Sequence, residues 1–161
     1  MKRMVKIVSP SEKATIRLGR KLAGLLSPGS IVCLFGQLGA GKTILVKGMA
    51  EGLGVDRNEV ISPSFVLIRE YLPGPNLSAG KPLFHLDLFR LKSPRDIFSL
   101  GYEEYVYDKG ICAIEWAERL GNLLPAEFLK VQLEVKGATE RVIRLTAQGR
   151  QYLRILKGMK K

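Results

Sequence analysis

Hydrophobic residues recur along the chain in two patterns, one typical of β-strands and the other typical of amphipathic α-helices. Short apolar or alternating segments bounded by Gly, Pro or Ser predict strands, and apolar residues at every third or fourth position predict helices. The alternation of the two indicates an α/β fold with a mostly parallel sheet. The predicted strands are 5–8, 31–35, 65–71, 83–90, 110–116, 129–135 and 141–146, and helices are predicted to begin at residues 11, 42 and 93 and near 152.

The predicted strands divide into a central and an outer group. Residues 110–116 form a continuous apolar run, which is typical of a buried strand in a parallel sheet. The segment 83–90 alternates instead, which predicts a half-buried strand. We expect it to pair antiparallel with 65–71 at one edge of the sheet. The segments 129–135 and 141–146 are expected to pair with each other.

The strand at 31–35 leads into Gly36-Gln-Leu-Gly-Ala-Gly-Lys-Thr43, which matches the phosphate-binding pattern G-x-x-x-x-G-K-[ST]. The glycines allow positive φ, so that successive N–H groups can surround a phosphate, and the following helix adds its free amides and partial positive charge. The Lys42 ammonium would meet the β- and γ-phosphates and the Thr43 hydroxyl would bind Mg²⁺. The residues expected at the nucleotide are Gly36, Leu38, Gly39, Ala40, Gly41, Lys42, Thr43 and Ile44.

This motif, in its strand–loop–helix context, predicts a P-loop NTPase-like fold with three layers. Its sheet would be mixed but mostly parallel, with helices on both faces and an antiparallel edge. We expect a single domain over residues 1–161, ending in a basic tail of about residues 147–161.

Two carboxylates that end predicted strands are candidates for the rest of the site. Glu115 ends the fully apolar strand expected beside the phosphate-loop strand, so we expect it to bind Mg²⁺ directly or through water. Asp87 lies on the alternating strand and would orient or deprotonate an attacking water. A salt bridge from Asp87 to Arg90 or Arg95 is the alternative.

Three further residues have two interpretations each. The Ser64 hydroxyl, in Ser62-Pro63-Ser64, fits either a switch loop that senses the γ-phosphate or Mg²⁺, or an ordinary turn. His85, the single histidine, is more typical of a core residue than of a catalyst. Trp116 is either part of the core or an anchor for a partner.

The net charge of +11 is concentrated at the two ends of the chain. Residues 1–21 contain seven Lys or Arg and one Glu, and residues 136–161 contain eight and one. This distribution indicates a basic face for an acidic partner or RNA, or equally a solvated helix surface and a frayed lysine tail. Cys33 and Cys112 lie in apolar runs and are expected to be free, buried thiols of a reducing compartment.

No targeting or membrane segment is expected. The basic start of the chain is not followed by the apolar region of a signal peptide, and the apolar run at 31–35 is far shorter than a membrane span. The sequence therefore predicts a cytoplasmic protein.

Several segments of the chain form an ordered set of motifs. They are Gly36-x-Leu-Gly-Ala-Gly-Lys-Thr43, Val60-x-Ser-Pro-Ser-Phe65, His85-x-Asp-x-Phe-Arg-Leu91, Gly101-Tyr-Glu-Glu-Tyr105 and Ile114-Glu-Trp-Ala-Glu118. In this order they resemble the TsaE (YjeE) family. The resemblance covers nearly the whole chain, from Ser11 to about Thr146.

The resemblance implies a small bacterial ATPase needed for threonylcarbamoyladenosine in tRNA. Such a protein uses ATP and Mg²⁺ and works with the proteins TsaB and TsaD, where hydrolysis resets the complex between turnovers; contact with tRNA would be indirect. By the same resemblance Asp87 would be the essential catalytic acid, and Lys42 would be the second catalytic residue. Thr43 and Glu115 would hold Mg²⁺. Glu12 and Arg141 would lie near the nucleotide.

The chain departs from the common family pattern at three positions. Ser64 stands where Thr is usual and keeps the hydroxyl, Phe89 replaces Tyr, and Ala117 replaces a frequent Pro. The change at Phe89 leaves no phenol to act as a donor there.

Other functions fit parts of the same sequence. A small-molecule kinase would share the fold, with Arg90, Lys92 and Arg95 in a lid over the phosphates. A GTPase is disfavoured because no N-K-x-D motif occurs. An RNA-binding assembly factor with ATP as a structural ligand would account for the basic ends, but it would not need both Asp87 and Glu115.

Overall fold

The computed structural model describes residues 3–60, 67–73, 81–107 and 110–160. Its strands are β1 Met4–Ser9, β2 Ile31–Phe35, β3 Ile68–Tyr71, β4 Leu83–Asp87, β5 Ile111–Glu115, β6 Phe128–Val135 and β7 Arg141–Gln148. Its helices are α1 Glu12–Leu25, α2 Lys42–Gly52, α3 Pro94–Ser99, α4 Glu103–Val106 and α5 Leu153–Met159, with short 3-10 helices at Arg57–Glu59, Ala117–Leu123 and Arg150–Tyr152. No helix in these ranges is both long and apolar enough to cross a membrane.

The strands form a seven-stranded mixed sheet in the order β1-β7-β6-β2-β5-β4-β3. The four central strands, β6, β2, β5 and β4, are parallel. Strand β3 pairs antiparallel with β4, as predicted, and β7 pairs antiparallel with both β6 and β1. The predicted mixed sheet with a parallel centre is confirmed, and antiparallel strands occur at both of its ends.

Helices cover both faces of the sheet and create two hydrophobic cores. One core contains Leu22 of α1, Leu45 of α2 and Leu156 of α5. The other contains Ile97 of α3 and Val106 of α4. The three-layer arrangement expected from the sequence is therefore present.

The helix that carries the phosphate loop is held in place by unusually close packing. A Cβ added to Gly19 of α1 would lie 2.3 Å from the carbonyl oxygen of Leu45 in α2. A Cβ added to Gly48 of α2 would lie 2.2 Å from the carbonyl oxygen of Ile16 in α1. The backbones of α1 and α2 approach because both positions lack a side chain, and this contact fixes the start of α2 relative to the sheet.

The predicted helix starts at residues 11 and 93 are confirmed by their caps. The Ser11 hydroxyl accepts a hydrogen bond from the Ala14 N–H at 3.1 Å, and the Ser93 hydroxyl accepts one from the Asp96 N–H at 3.3 Å. A hydroxyl at this position satisfies an N–H that the first helical turn leaves without an acceptor.

The prediction of a half-buried strand at 83–90 is wrong. Strand β4 ends at Asp87, and all five of its side chains are buried. Alternation does separate two sets of residues, since Leu83 belongs to one core and Phe84 to the other. Both sets are covered because β4 lies between β5 and β3 with helices on each face of the sheet.

Strand β3 is shorter than the predicted segment 65–71, since it begins at Ile68 after Leu67, whose φ is 73°. Residues 61–66, which include the proposed switch residue Ser64, lie outside the described part of the chain.

The basic tail is ordered where the structure describes it, so the interpretation as a frayed tail is wrong for residues 150–160. Tyr152, Ile155 and Leu156 are buried in the core beneath α1 and β1. The Tyr152 hydroxyl accepts a hydrogen bond from the Ile31 N–H at 2.9 Å. The tail therefore closes one side of the sheet and presents its charged side chains from a packed helix.

Candidate functional site

The loop between β2 and α2 has the backbone conformation that its glycines predict. Gly36, Gly39 and Gly41 have φ values of 150°, 80° and 100°. A Cβ on Gly36 would lie 2.7 Å from the carbonyl oxygen of Leu133, so only glycine fits there. Helix α2 begins without a side-chain cap, and its first backbone bond runs from the Leu45 N–H to Gly41. The amides of its first turn are therefore available to an anion.

The two predicted carboxylates lie side by side at the carboxyl ends of β4 and β5. Asp87 is directly opposite Glu115 in the parallel pairing, and both side chains are buried. The Thr43 hydroxyl, at the start of α2, donates a hydrogen bond to Glu115 Oε1 at 2.8 Å. Asp87 Oδ1 accepts the Phe89 N–H at 2.9 Å. The fold thus brings together the three predicted residues that would serve a metal and a water.

His85 is buried, as the core interpretation required, but it also holds a residue of the site. Its Nε2 lies 2.9 Å from Glu115 Oε2, while its Nδ1 has no hydrogen-bond partner among the described residues. Thr43 and His85 therefore fix the two oxygens of Glu115 from opposite sides. The sequence contains one indication that His85 belongs to the site: it precedes Asp87 by two residues, so both side chains lie on the same face of β4.

Lys42 is folded back onto the loop that it belongs to. Its Nζ donates hydrogen bonds to the carbonyl oxygens of Gly36 and, at 2.9 Å, of Gln37. The same atom lies 3.9 Å from the centre of the Trp116 ring, a cation–π contact. Burial lowers the pKa of the Lys42 ammonium, and the charge of Glu115 is the largest effect in the opposite direction.

Trp116 is a wall of the site, which neither interpretation of this residue anticipated. Its backbone is in the left-handed region, with φ 57° and ψ 41°. Its ring packs against Phe89, with 5.0 Å between the ring centres. For a residue with a bulky side chain this conformation is strained, and such strain clusters at functional sites.

Arg141 lies beneath the phosphate loop and joins it to the β6–β7 turn. Its Nε donates to the Ala40 carbonyl oxygen at 3.1 Å and its Nη2 to that of Gly39 at 3.2 Å. Its Nη1 donates to the carbonyl oxygens of Gly137 and Glu140, both at 3.0 Å. The guanidinium fork therefore holds the loop from behind.

Two adjacent cavities meet at the loop. The first, of about 360 Å³, is lined by Leu38, Gly39, Ala40, Gly41, Lys42, Thr43, Ile44, Asp87, Phe89, Arg90, Glu115 and Trp116. The second, of about 270 Å³, is lined by Glu12, Thr15, Gly39, Gly41, Ile44, Ala138, Thr139 and Arg141.

The cavities gather the predicted site residues that the structure describes, except Gly36, which shapes the loop without lining either cavity. Thr15, Ala138 and Thr139 were not assigned to the site from the sequence: Thr15 lies in the segment Ser11-Glu12-x-x-Thr15 where the family resemblance begins, and no motif marks Ala138 or Thr139. They reach the site only because the start of α1 and the β6–β7 turn both fold against the loop.

The donor atoms of the first cavity suit a hard cation. Within the described residues, no group of three or more His, Cys, Asp or Glu side chains is arranged to hold a metal by itself. The Thr43 hydroxyl and the Glu115 carboxylate are oxygen ligands, and Mg²⁺ commonly takes one or two protein oxygens together with phosphates and waters. The residues present therefore fit Mg²⁺ bound with a nucleotide.

Three comparisons with known proteins agree with one another. The family model for "Threonylcarbamoyl adenosine biosynthesis protein TsaE" matches residues 9–143. The tRNA threonylcarbamoyladenosine biosynthesis protein TsaE of Bacillus subtilis is 39% identical over 145 residues, 90% of this chain and 85% of that protein. Its namesake from Treponema pallidum is 41% identical over 131 residues, 81% and 92% of the two chains.

The likeness extends to three dimensions. The crystal structure of YdiB from Bacillus subtilis superimposes with a TM-score of 0.81 at 32% sequence identity, covering 99% of this chain and 96% of the other. The chain therefore belongs to the TsaE family, whose curated members are named for the biosynthesis of threonylcarbamoyladenosine in tRNA.

Proposed function

We propose that the protein binds ATP with Mg²⁺ at the phosphate loop and hydrolyses it slowly during threonylcarbamoyladenosine biosynthesis. The observation that carries this proposal is the hydrogen bond from Thr43 to Glu115, with Asp87 beside it at the ends of neighbouring strands. A hydroxyl and two carboxylates at the N-terminus of a glycine-rich-loop helix are the parts that phosphoryl transfer to water requires.

Binding would begin with an exchange of partners by Lys42. Its Nζ would leave the carbonyl oxygens of Gly36 and Gln37 and contact the β- and γ-phosphates instead. The N–H groups of the loop and of the first turn of α2 would surround the β-phosphate. Thr43 and Glu115 would hold Mg²⁺, which supplies charge neutralisation for the phosphates when bound.

Hydrolysis would then depend on Asp87. Its carboxylate would accept a proton from a water whose oxygen attacks the γ-phosphorus. The bond between that phosphorus and the bridging oxygen breaks, and the electron pair leaves with ADP. His85 would act as a positioning residue, because it holds Glu115 and touches neither the water nor the phosphates.

The reaction would serve a larger process in the cytoplasm, with TsaB and TsaD as partners. Phe89, Arg90 and Trp116 all line the first cavity and form a wall that contact with a partner would move. Partners would stimulate hydrolysis if their contact with this wall moved the Trp116 ring away from the Lys42 ammonium.

The deciding experiment measures phosphate release with and without TsaB, TsaD and tRNA, for the wild type and for Asp87→Asn. Asparagine preserves the acceptor for the Phe89 N–H but removes the base. ATP affinity by calorimetry should therefore change less than about threefold while turnover falls about 100-fold or more. Asp96→Asn, in the exposed first turn of α3, is the matched control and should change neither quantity.

Two results would contradict the proposal. One is undiminished turnover in Asp87→Asn, and the other is no phosphate release under any condition. Because Arg90 lines the cavity, a small-molecule kinase is the second candidate. It would be indicated by radiolabelled γ-phosphate that appears on an added acceptor rather than as free phosphate.

A further inference from the structure

A basic surface lies on the outer side of helices α1 and α5, formed by both ends of the chain. We call it the α1–α5 basic face, and its exposed members are Lys13, Arg17, Lys21, Arg154, Lys157 and Lys160. Sequence alone left open whether the charge at the two ends of the chain formed one surface. The structure brings these six side chains to two neighbouring helices.

The charges on α1 form a row along the helix. Lys13, Arg17 and Lys21 are spaced four residues apart, so they lie one above the other at intervals of about 6 Å. A shallow groove of about 240 Å³ runs beside them, lined by Lys13, Ile16, Arg17 and Arg20. The row is therefore straight, exposed and open along one side.

Direct contacts join α5 to the end of this row. Lys21 Nζ donates to the Met159 carbonyl oxygen at 3.4 Å, and Arg154 donates to the Ser27 hydroxyl. A second open groove, of about 370 Å³, is lined by the end of α1, Ser27 and Arg154. The cations of the two helices thus belong to one continuous surface.

Acidic side chains do little to neutralise this surface. In the described part of the chain, the salt bridge on α1 joins Arg20 to Glu51 of α2, and the six members of the basic face form none. Helix α5 contains no acidic residue. The positive potential of the face is therefore available to a polyanion.

We propose that the α1–α5 basic face binds the phosphate backbone of RNA. The inference goes beyond ATP hydrolysis and does not rest on it. A row of Lys and Arg at regular intervals suits a row of phosphates, which lysine contacts as a point charge. Binding of this kind is independent of sequence and depends strongly on salt.

RNA fits this face better than an acidic protein does. The centres of protein interfaces are rich in aromatic residues and poor in lysine. Among the described residues, none of the exposed large hydrophobic side chains belongs to α1 or α5. Interfaces with nucleic acid are more polar and much more positive, which is the composition seen here.

The test compares two charge-reversal variants of equal net charge in the full-length protein. Arg17→Glu/Lys157→Glu/Lys160→Glu changes three exposed members of the face, none of which lines either nucleotide cavity. Lys6→Glu/Lys92→Glu/Arg95→Glu changes three exposed cations elsewhere. Binding of a bacterial tRNA transcript is measured by fluorescence anisotropy between 50 and 300 mM salt, roughly the range over which phosphate contacts are lost.

We expect the first variant to bind tRNA about tenfold to a hundredfold more weakly than the wild type, with a salt slope shallower by about 2–3. Binding of tRNA by the control variant should stay within about threefold of the wild type, and the first variant should bind ATP as the wild type does. The neutral variant Arg17→Gln/Lys157→Gln/Lys160→Gln should show an intermediate loss, which excludes misfolding caused by the acidic side chains.

Equal loss in the two charge-reversal variants would overturn the inference, because net charge alone would then explain binding. If the protein binds polyglutamate but not tRNA, the RNA inference is overturned in favour of an acidic protein as the partner of this face. If ATP is not hydrolysed but the first variant still binds tRNA more weakly than the control variant, the RNA inference stands while the proposed function fails.

Discussion

Removal of the Arg141 side chain should weaken nucleotide binding although the guanidinium need not touch the nucleotide. The side chain donates four hydrogen bonds to carbonyl oxygens, two of them in the phosphate loop at Gly39 and Ala40. The others reach the β6–β7 turn. In Arg141→Ala the phosphate loop would lose its connection to that turn. The loop conformation that binds the nucleotide would then compete with other loop conformations.

The magnitude follows from the two contacts to the loop. A buried hydrogen bond from a charged group contributes about 1.5–3 kcal/mol to stability. Because Arg141 is partly exposed and solvent weakens its interactions, each of its two hydrogen bonds to the loop is expected to contribute about 0.5–1 kcal/mol. Loss of both would cost up to about 1–2 kcal/mol in the preference for the binding conformation. Nucleotide affinity would then fall by up to about 5- to 30-fold.

Calorimetric titration with ADP separates this role from direct contact with a phosphate. In Arg141→Lys the charge is kept, but one ammonium cannot bridge the loop and the turn. If Arg141 acts as a clamp, the lysine variant should bind ADP nearly as weakly as the alanine variant; if it acts as a charge, lysine should restore most of the affinity. The matched control is Arg144→Ala on the same strand, which loses a partly exposed salt bridge with Glu134 and no contact with the phosphate loop. Affinity within twofold of the wild type in Arg141→Ala would refute the reasoning.

Three further predictions concern other parts of the molecule. ATP should change the emission of Trp116, the single tryptophan, because Lys42 must leave its ring; constant emission at saturating ATP would contradict the proposed exchange. Gly48→Ala should lower the melting temperature by about 2–12 °C through overpacking against α1, whereas Gly24→Ala, with nothing within 4 Å of the new methyl, should raise it by a few degrees in scanning fluorimetry. Burial raises the pKa of the Cys33 thiol from 9.0 to about 12, so iodoacetamide at pH 8 should label it only after denaturation, and labelling of the folded protein would argue against this.

The sequence predicted those parts of the site whose chemistry is local. The phosphate loop is identifiable because one short segment contains the glycines, Lys42 and Thr43 together. Glu115 could be placed at the site because it ends a fully apolar strand, and ligands collect at the carboxyl ends of parallel strands, whereas Asp87 was expected on the alternating strand. In the structure the two carboxylates lie opposite each other in the parallel pairing of β4 and β5.

Other parts depend on contacts that no local pattern encodes. Arg141 lies 101 residues from Ala40 along the chain, and only the fold brings them together. The burial of β4 was predicted wrongly because alternation reports residue type and not what covers each face. His85 could be predicted as buried, but not as a partner of Glu115, which required the pairing of β4 with β5.

The left-handed backbone of Trp116 sets stability against function at one position. A bulky residue in this conformation costs on the order of 1–3 kcal/mol, a cost that glycine there would not carry. Glycine directly after β5 would remove this strain, but it would also remove the packing of the indole against Phe89 and the second core. The same indole covers Lys42, so any replacement of Trp116 that relieves the strained backbone also uncovers the ammonium at the phosphate loop.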